Sequence, residues 1–204
     1  AAASSSPPEM DLDELSPEEA AVVEWVRTMV RDSGGKKLFL MAELEVWNVQ
    51  TCDFEKTADA PRVRCLWTMG KEKRLLLGEE LQPHLQLRDL GLGGEWHGVR
   101  CPVDDEELTL LCPKGSVHEL QQLCLYAADR VTDSGLQTIA SGGCGTQLTS
   151  LTLDSLDEGV TDSGLQALAA AGCGAHLTSL TLSWLQQGVT DSGLQALASA
   201  GCGA

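Results

Sequence analysis

The C-terminal stretch of the chain is one segment written twice. LTSLTLDSLDEGVTDSGLQALAAAGCGAH (Leu148–His176) runs directly into LTSLTLSWLQQGVTDSGLQALASAGCGA (Leu177–Ala204). Equivalent residues stand 29 apart: Leu151 and Leu180, Val160 and Val189, Cys173 and Cys202. No other feature narrows the fold as much. A unit of this length cannot close a hydrophobic core alone, but stacked copies can share one.

Within the unit the apolar period changes. Leu148, Leu151 and Leu153 read LxxLxL, and the last two sit two apart, as on one face of a strand. Gly159 then breaks the pattern. Beyond it Val160, Leu165, Leu168 and Ala169 fall on one side of a helix. Thr161 or Asp162 can cap that helix, because a short side-chain oxygen accepts a free first-turn amide. Gly172 and Gly174 stop it. Each unit therefore predicts strand, turn, helix, turn.

Weaker copies lie upstream. Leu120, Leu123 and Leu125 precede VTDSGLQTIA, which starts at Val131. Leu87, Leu90 and Leu92 precede Val103, Asp105 and Leu108, with a longer connection holding Trp96, His97 and Cys101. About four units thus span residues 87–204. The last stops directly after its helix, so the expectation is a longer array, truncated here, or a covered end face.

The LxxLxL strand, the VTDSGLQALA helix and the Gly-Cys that follows resemble leucine-rich repeats. The resemblance is strongest to the ribonuclease-inhibitor-like and cysteine-containing subclasses, with repeats of 28–29 residues. It implies an α/β solenoid with parallel strands on the concave face and helices on the convex face. It also implies a non-enzymatic scaffold for protein–protein interaction, or a structural subunit of a larger assembly. The alternative it raises is the substrate-recognition subunit of a ubiquitin ligase, since similar repeats follow F-box motifs. Residues 17–35 lack the Leu-Pro opening of such a motif. One position departs from the family, which usually places Asn or Cys three residues after the last strand leucine. Here Ala128, Leu156 and Leu185 stand there, so the turn's backbone groups must find backbone, Ser/Thr or water.

The region before the repeats divides in two. Residues 1–16 are Ala/Ser/Pro-rich and then acidic, and read as a disordered tail. Residues 17–86 read as a helical and mixed capping region. Ser16, Pro17, Glu18 and Glu19 open a helix whose stripe is Val22, Val23, Val26, Met29 and Val30. Leu38–Val49 fits a strand or a helix, Val63–Trp67 suggests a strand, and Lys71–Leu81 suggests a short helix. In that last helix the basic residues come first, against the helix dipole.

Composition excludes some functions. The net charge of −16 offers no basic face for nucleic acid, nor attraction to an anionic membrane. From Val117 onward eight acids face one base, Arg130, which points to a protein partner with a basic surface. The eight cysteines include no CxxC pair, and three recur with the repeat, so they read as buried free thiols. Without a secretory leader or a long apolar run the expectation is an intracellular, cytoplasmic protein. An extracellular recognition domain is disfavoured on the same grounds. His84, His97, His118 and His176 belong to no repeated polar set, so neither catalysis, metal nor cofactor is expected. The candidate site is the outward row of the strands: Tyr126, Thr149, Thr152, Asp154, Thr178, Thr181 and Ser183, with Trp184 beside it.

Overall fold

The computed structural model describes residues 10–42, 45–48, 53–56, 60–96, 99–100, 103–114, 117–144, 147–156, 159–183 and 187–201. Helix α1 (Pro17–Asp32) begins with a full capping box: Ser16 Oγ accepts from Glu19 N, and the Glu19 carboxylate accepts from Ser16 N. Val22, Val23, Val26 and Val30 of its stripe are buried. The chain then enters β1 (Lys37–Ala42), followed by a hairpin of β2 (Glu45–Asn48) and β3 (Asp53–Lys56). Next come α2 (Ala60–Thr68), α3 (Lys71–Leu81) and β4 (Asp89–Trp96), on which β5 (Val99–Arg100) folds back antiparallel. The remainder alternates: α4 (Asp105–Leu111), β6 (Gln122–Tyr126), α5 (Asp133–Ser141), β7 (Ser150–Asp154), α6 (Asp162–Ala170), β8 (Ser179–Ser183) and α7 (Asp191–Ser199).

Five strands form one parallel sheet in the order β1-β4-β6-β7-β8. The leucine rows are in register: Leu38, Leu90, Leu123, Leu151 and Leu180 pair in succession, as do Leu40, Leu92, Leu125, Leu153 and Leu182. From Leu38 to Leu153 these leucines are buried, and they share one core with Leu136, Ile139, Leu165 and Leu168 of the helices. At the β8 edge the same row emerges, with Leu180 39 % exposed.

Three sequence expectations change. The sheet starts with β1, inside the region read only as a cap. Its run LFLM is apolar on both faces, so no alternation distinguishes it from a buried helix. Val63–Trp67 is helical, not a strand: Val63, Leu66 and Met69 are all buried at threefold spacing, and packing overrides the β-propensity of Val. Order also begins before the end of the expected tail. Met10 is buried, its N–H donates to Glu80 Oε2 at 3.0 Å, and its carbonyl accepts from Arg27 Nη2 at 3.3 Å.

Ion pairs fasten the helices that precede the regular units. Arg27 holds Glu80 at 2.7 Å and Arg74 holds Glu107 at 2.7 Å. The opposed charge order of α3 is answered from outside: Lys71, in its first turn, meets Asp104 and Glu106, each at 2.6 Å.

The regular units are joined by their aspartates. Thr132, Thr161 and Thr190 are the helix caps, each accepting from the amide two residues on. The Asp that follows each of the first two caps reaches into the next unit. Asp133 accepts from Thr161 N at 2.7 Å, Thr161 Oγ1 at 2.6 Å and Gly164 N at 3.0 Å. Asp162 repeats the set with Thr190 N, Thr190 Oγ1 and Gly193 N. Asp105 does the same with the amide and hydroxyl of Thr132. The glycine of DSG follows from this geometry, because a Cβ at Gly164 would lie 2.6 Å from Asp133 Oδ1. After the strands, Ala127 and Ser155 adopt positive φ and donate their amides to the carbonyls of Asp154 and Ser183 in the neighbouring strand. Backbone thus satisfies these turn amides where the expected Asn is missing, and Ala128 and Leu156 fill the turn as core residues.

Candidate protein-interaction face

Along each strand alternate side chains point away from the leucine core. Register places three such rows across the sheet. Gln122, Ser150 and Ser179 form one; Gly91, Cys124, Thr152 and Thr181 another; Gly93, Tyr126, Asp154 and Ser183 the third. Tyr126, Thr152, Asp154, Thr181 and Ser183 therefore do come together on one face. Tyr126 and Asp154 are half-buried, Thr152 is buried, and Thr181 is exposed. Asp154 accepts from Ser155 Oγ at 3.3 Å and from Ser183 Oγ of the next strand. Burial pushes the Tyr126 hydroxyl and the Cys124 thiol above their ordinary pKa values, so both are neutral donors near pH 7.

Thr149 and Thr178 stand at the entry to their strands and have a different job. Thr149 Oγ1 donates to the Gln121 carbonyl at 3.0 Å, and Thr178 Oγ1 to the Thr149 carbonyl at 3.1 Å. Both hydroxyl protons are spent on the neighbouring backbone. Trp184 lies outside the described residues.

The sequence reading missed the N-terminal end of this face. Phe39 and Met41 of β1 extend the outward rows and are half-buried. They lie over Gly91, where a Cβ would come within 2.6 Å of the Phe39 ring and 2.7 Å of Met41 Sδ. The glycine makes room for them, and Phe39, Met41 and Tyr126 at one end of these two rows give way to hydroxyl and carboxylate side chains at β7 and β8. The available signal was the LFL-to-LGL likeness of the two strands, which the doubly apolar run obscured.

Other chemistry is sparse. His84, His118 and His176 are exposed, and His97 lies outside the described residues. Among the described residues no three His, Cys, Asp or Glu side chains converge as a metal-binding group. No described helix is long and apolar enough to cross a membrane. A small apolar cavity behind β1, bordered by Leu38, Leu77 and the Arg74–Glu107 pair, opens on the opposite side of the sheet from Tyr126. No protein-family model matches the chain, and comparison with curated proteins returned no match.

Proposed function

We propose that this chain is a leucine-rich repeat protein acting as a non-enzymatic protein-interaction scaffold or structural subunit, which binds its partner on the outward face of the parallel sheet. The observation that carries this reading is the division of each strand. One set of side chains is sealed against the helices, while Phe39 and Thr152, and Met41, Tyr126 and Asp154, stand in two adjacent rows on the opposite face of the sheet. In-register strands, one row of helices and the recurring Asp–Thr link support the solenoid reading. A half-buried Tyr with a neighbouring carboxylate suits a partner offering an apolar side chain beside a basic one. The acidic balance of the regular units supports the same charge preference. Free thiols among the described cysteines suit a reducing, intracellular setting. The ubiquitin-ligase reading gains no separate support: α1 leads within a few residues into the first strand of the sheet.

Affinity purification of the tagged chain followed by mass spectrometry tests the reading. Tyr126→Ala should weaken capture of the partner by about 30-fold, the loss expected of an interface anchor. Gln166→Ala, on the exposed side of α6, should leave capture unchanged. Partner recovery indifferent to Tyr126 and lost with Gln166 would move the binding surface to the helices and sink the proposal.

A further inference from the structure

The parallel stacking brings one chemically reactive pair together in the core. Cys144 follows α5 and Cys173 follows α6, at the same place in successive units. Each follows a left-handed glycine, Gly143 and Gly172, with φ of 93° and 86°. Their sulfurs lie 2.8 Å apart, and both residues are fully buried. A disulfide has an S–S length of about 2.05 Å, so bond formation asks for less than about 1 Å of movement.

We propose that Cys144 and Cys173 are an oxidation site, in which a peroxide joins the two units by a disulfide. The steps balance. The thiolate of one cysteine attacks an oxygen of hydrogen peroxide; the O–O bond breaks, water leaves after protonation, and the sulfur becomes a sulfenic acid. The second thiolate attacks that sulfur; the S–S bond forms, the S–O bond breaks and a second water departs. Two thiols lose two electrons and the peroxide gains them. The neighbouring sulfur intercepts the sulfenic acid before a second peroxide can carry it to sulfinic acid.

Burial controls the rate. The mutual contact and the apolar surroundings hold the Cys144 thiol protonated, well above an ordinary thiol. Peroxide therefore reacts only when the turn after α5 or α6 opens. The same opening is what the finished bond would suppress, so oxidation fastens together the two units that had separated.

Peptide mapping of peroxide-treated folded protein, after alkylation of remaining thiols, reads this directly. Expected is a Cys144–Cys173 linked peptide as the main oxidised product, with free thiol lost at both positions. The same treatment in denaturant supplies the comparison. There, loop closure favours near neighbours such as Cys112 with Cys124 over a pair 29 residues apart. In Cys173→Ala, Cys144 should advance to sulfinic acid. The proposal fails if folded protein carries both cysteines alkylated, over-oxidised or paired elsewhere, or gives the same mixture as unfolded chain.

Discussion

Asp133 offers the sharpest test of how the units are held together. Its carboxylate accepts three hydrogen bonds from the following unit, two from the amide and hydroxyl of the cap Thr161 and one from the Gly164 amide in the first turn of α6. A hydrogen bond to a charged group is worth about 1.5–3 kcal/mol. Summing three such values would overcount, because neighbouring bonds are not additive and water reaches this partly buried site. Asp133→Ala should therefore cost about 3 kcal/mol. Asp133→Asn keeps one acceptor oxygen for both amides, and Thr161 Oγ1 can turn to accept from the new amide, so the loss should be about 1 kcal/mol. Asp191 occupies the same place one helix after Asp162 and accepts no hydrogen bond from a described residue. Its replacement by Ala should cost under about 1 kcal/mol, the helix-dipole contribution alone. Urea unfolding followed by far-ultraviolet circular dichroism gives the global changes. Because repeat arrays can open in parts, hydrogen exchange of the Thr161 and Gly164 amides gives the local one. Equal losses for Asp133→Ala and Asp191→Ala would refute the argument, since both remove the same helix-opening charge and only one removes an inter-unit link.

Three further outcomes follow from the same packing. Gly164→Ala should destabilise by about 2 kcal/mol in urea unfolding although Ala is the better helix former by about 1 kcal/mol, because its methyl would displace the Asp133 carboxylate; a gain in stability would contradict this. Leu165→Ala should cost about 3 kcal/mol, whereas Leu194→Ala, at the same repeat position but 41 % exposed, should cost under about 1 kcal/mol; similar losses would show that exposure does not set the difference. The Thr190 hydroxyl, and then its amide, hold the Asp162 carboxyl below the ordinary aspartate range. A lowered carboxylate pKa contributes stability at neutral pH that fades as pH falls through the acidic range. Carboxyl NMR titration should thus show Asp162 rising toward the ordinary value in Thr190→Ala, and an unchanged titration would disprove the link.

The regular units were legible because their residues do the same thing each time. Leu151 and Leu153 face the core, Thr161 caps, and Leu165 and Leu168 lie beneath the helix, all as periodicity requires. Candidate-site residues on the strands were legible for the same reason, since a period of two fixes which neighbours share a face. Thr149 and Thr178 were not, because being polar at the mouth of a strand does not say whether a hydroxyl meets solvent or a neighbouring carbonyl.

Sequence alone determined the repeat, its strand-then-helix order and the row of outward side chains, because side-chain periodicity is a local property of the backbone. Only the tertiary structure decided that Lys37–Ala42 joins the sheet, that Val63–Trp67 is helical, and that Asp133 and Asp162 serve the next unit rather than their own helix cap. It also decided that Leu165 is sealed while Leu194, written identically, stands open. Each of these outcomes depends on what another segment brings alongside, and that neighbour is absent from any local pattern.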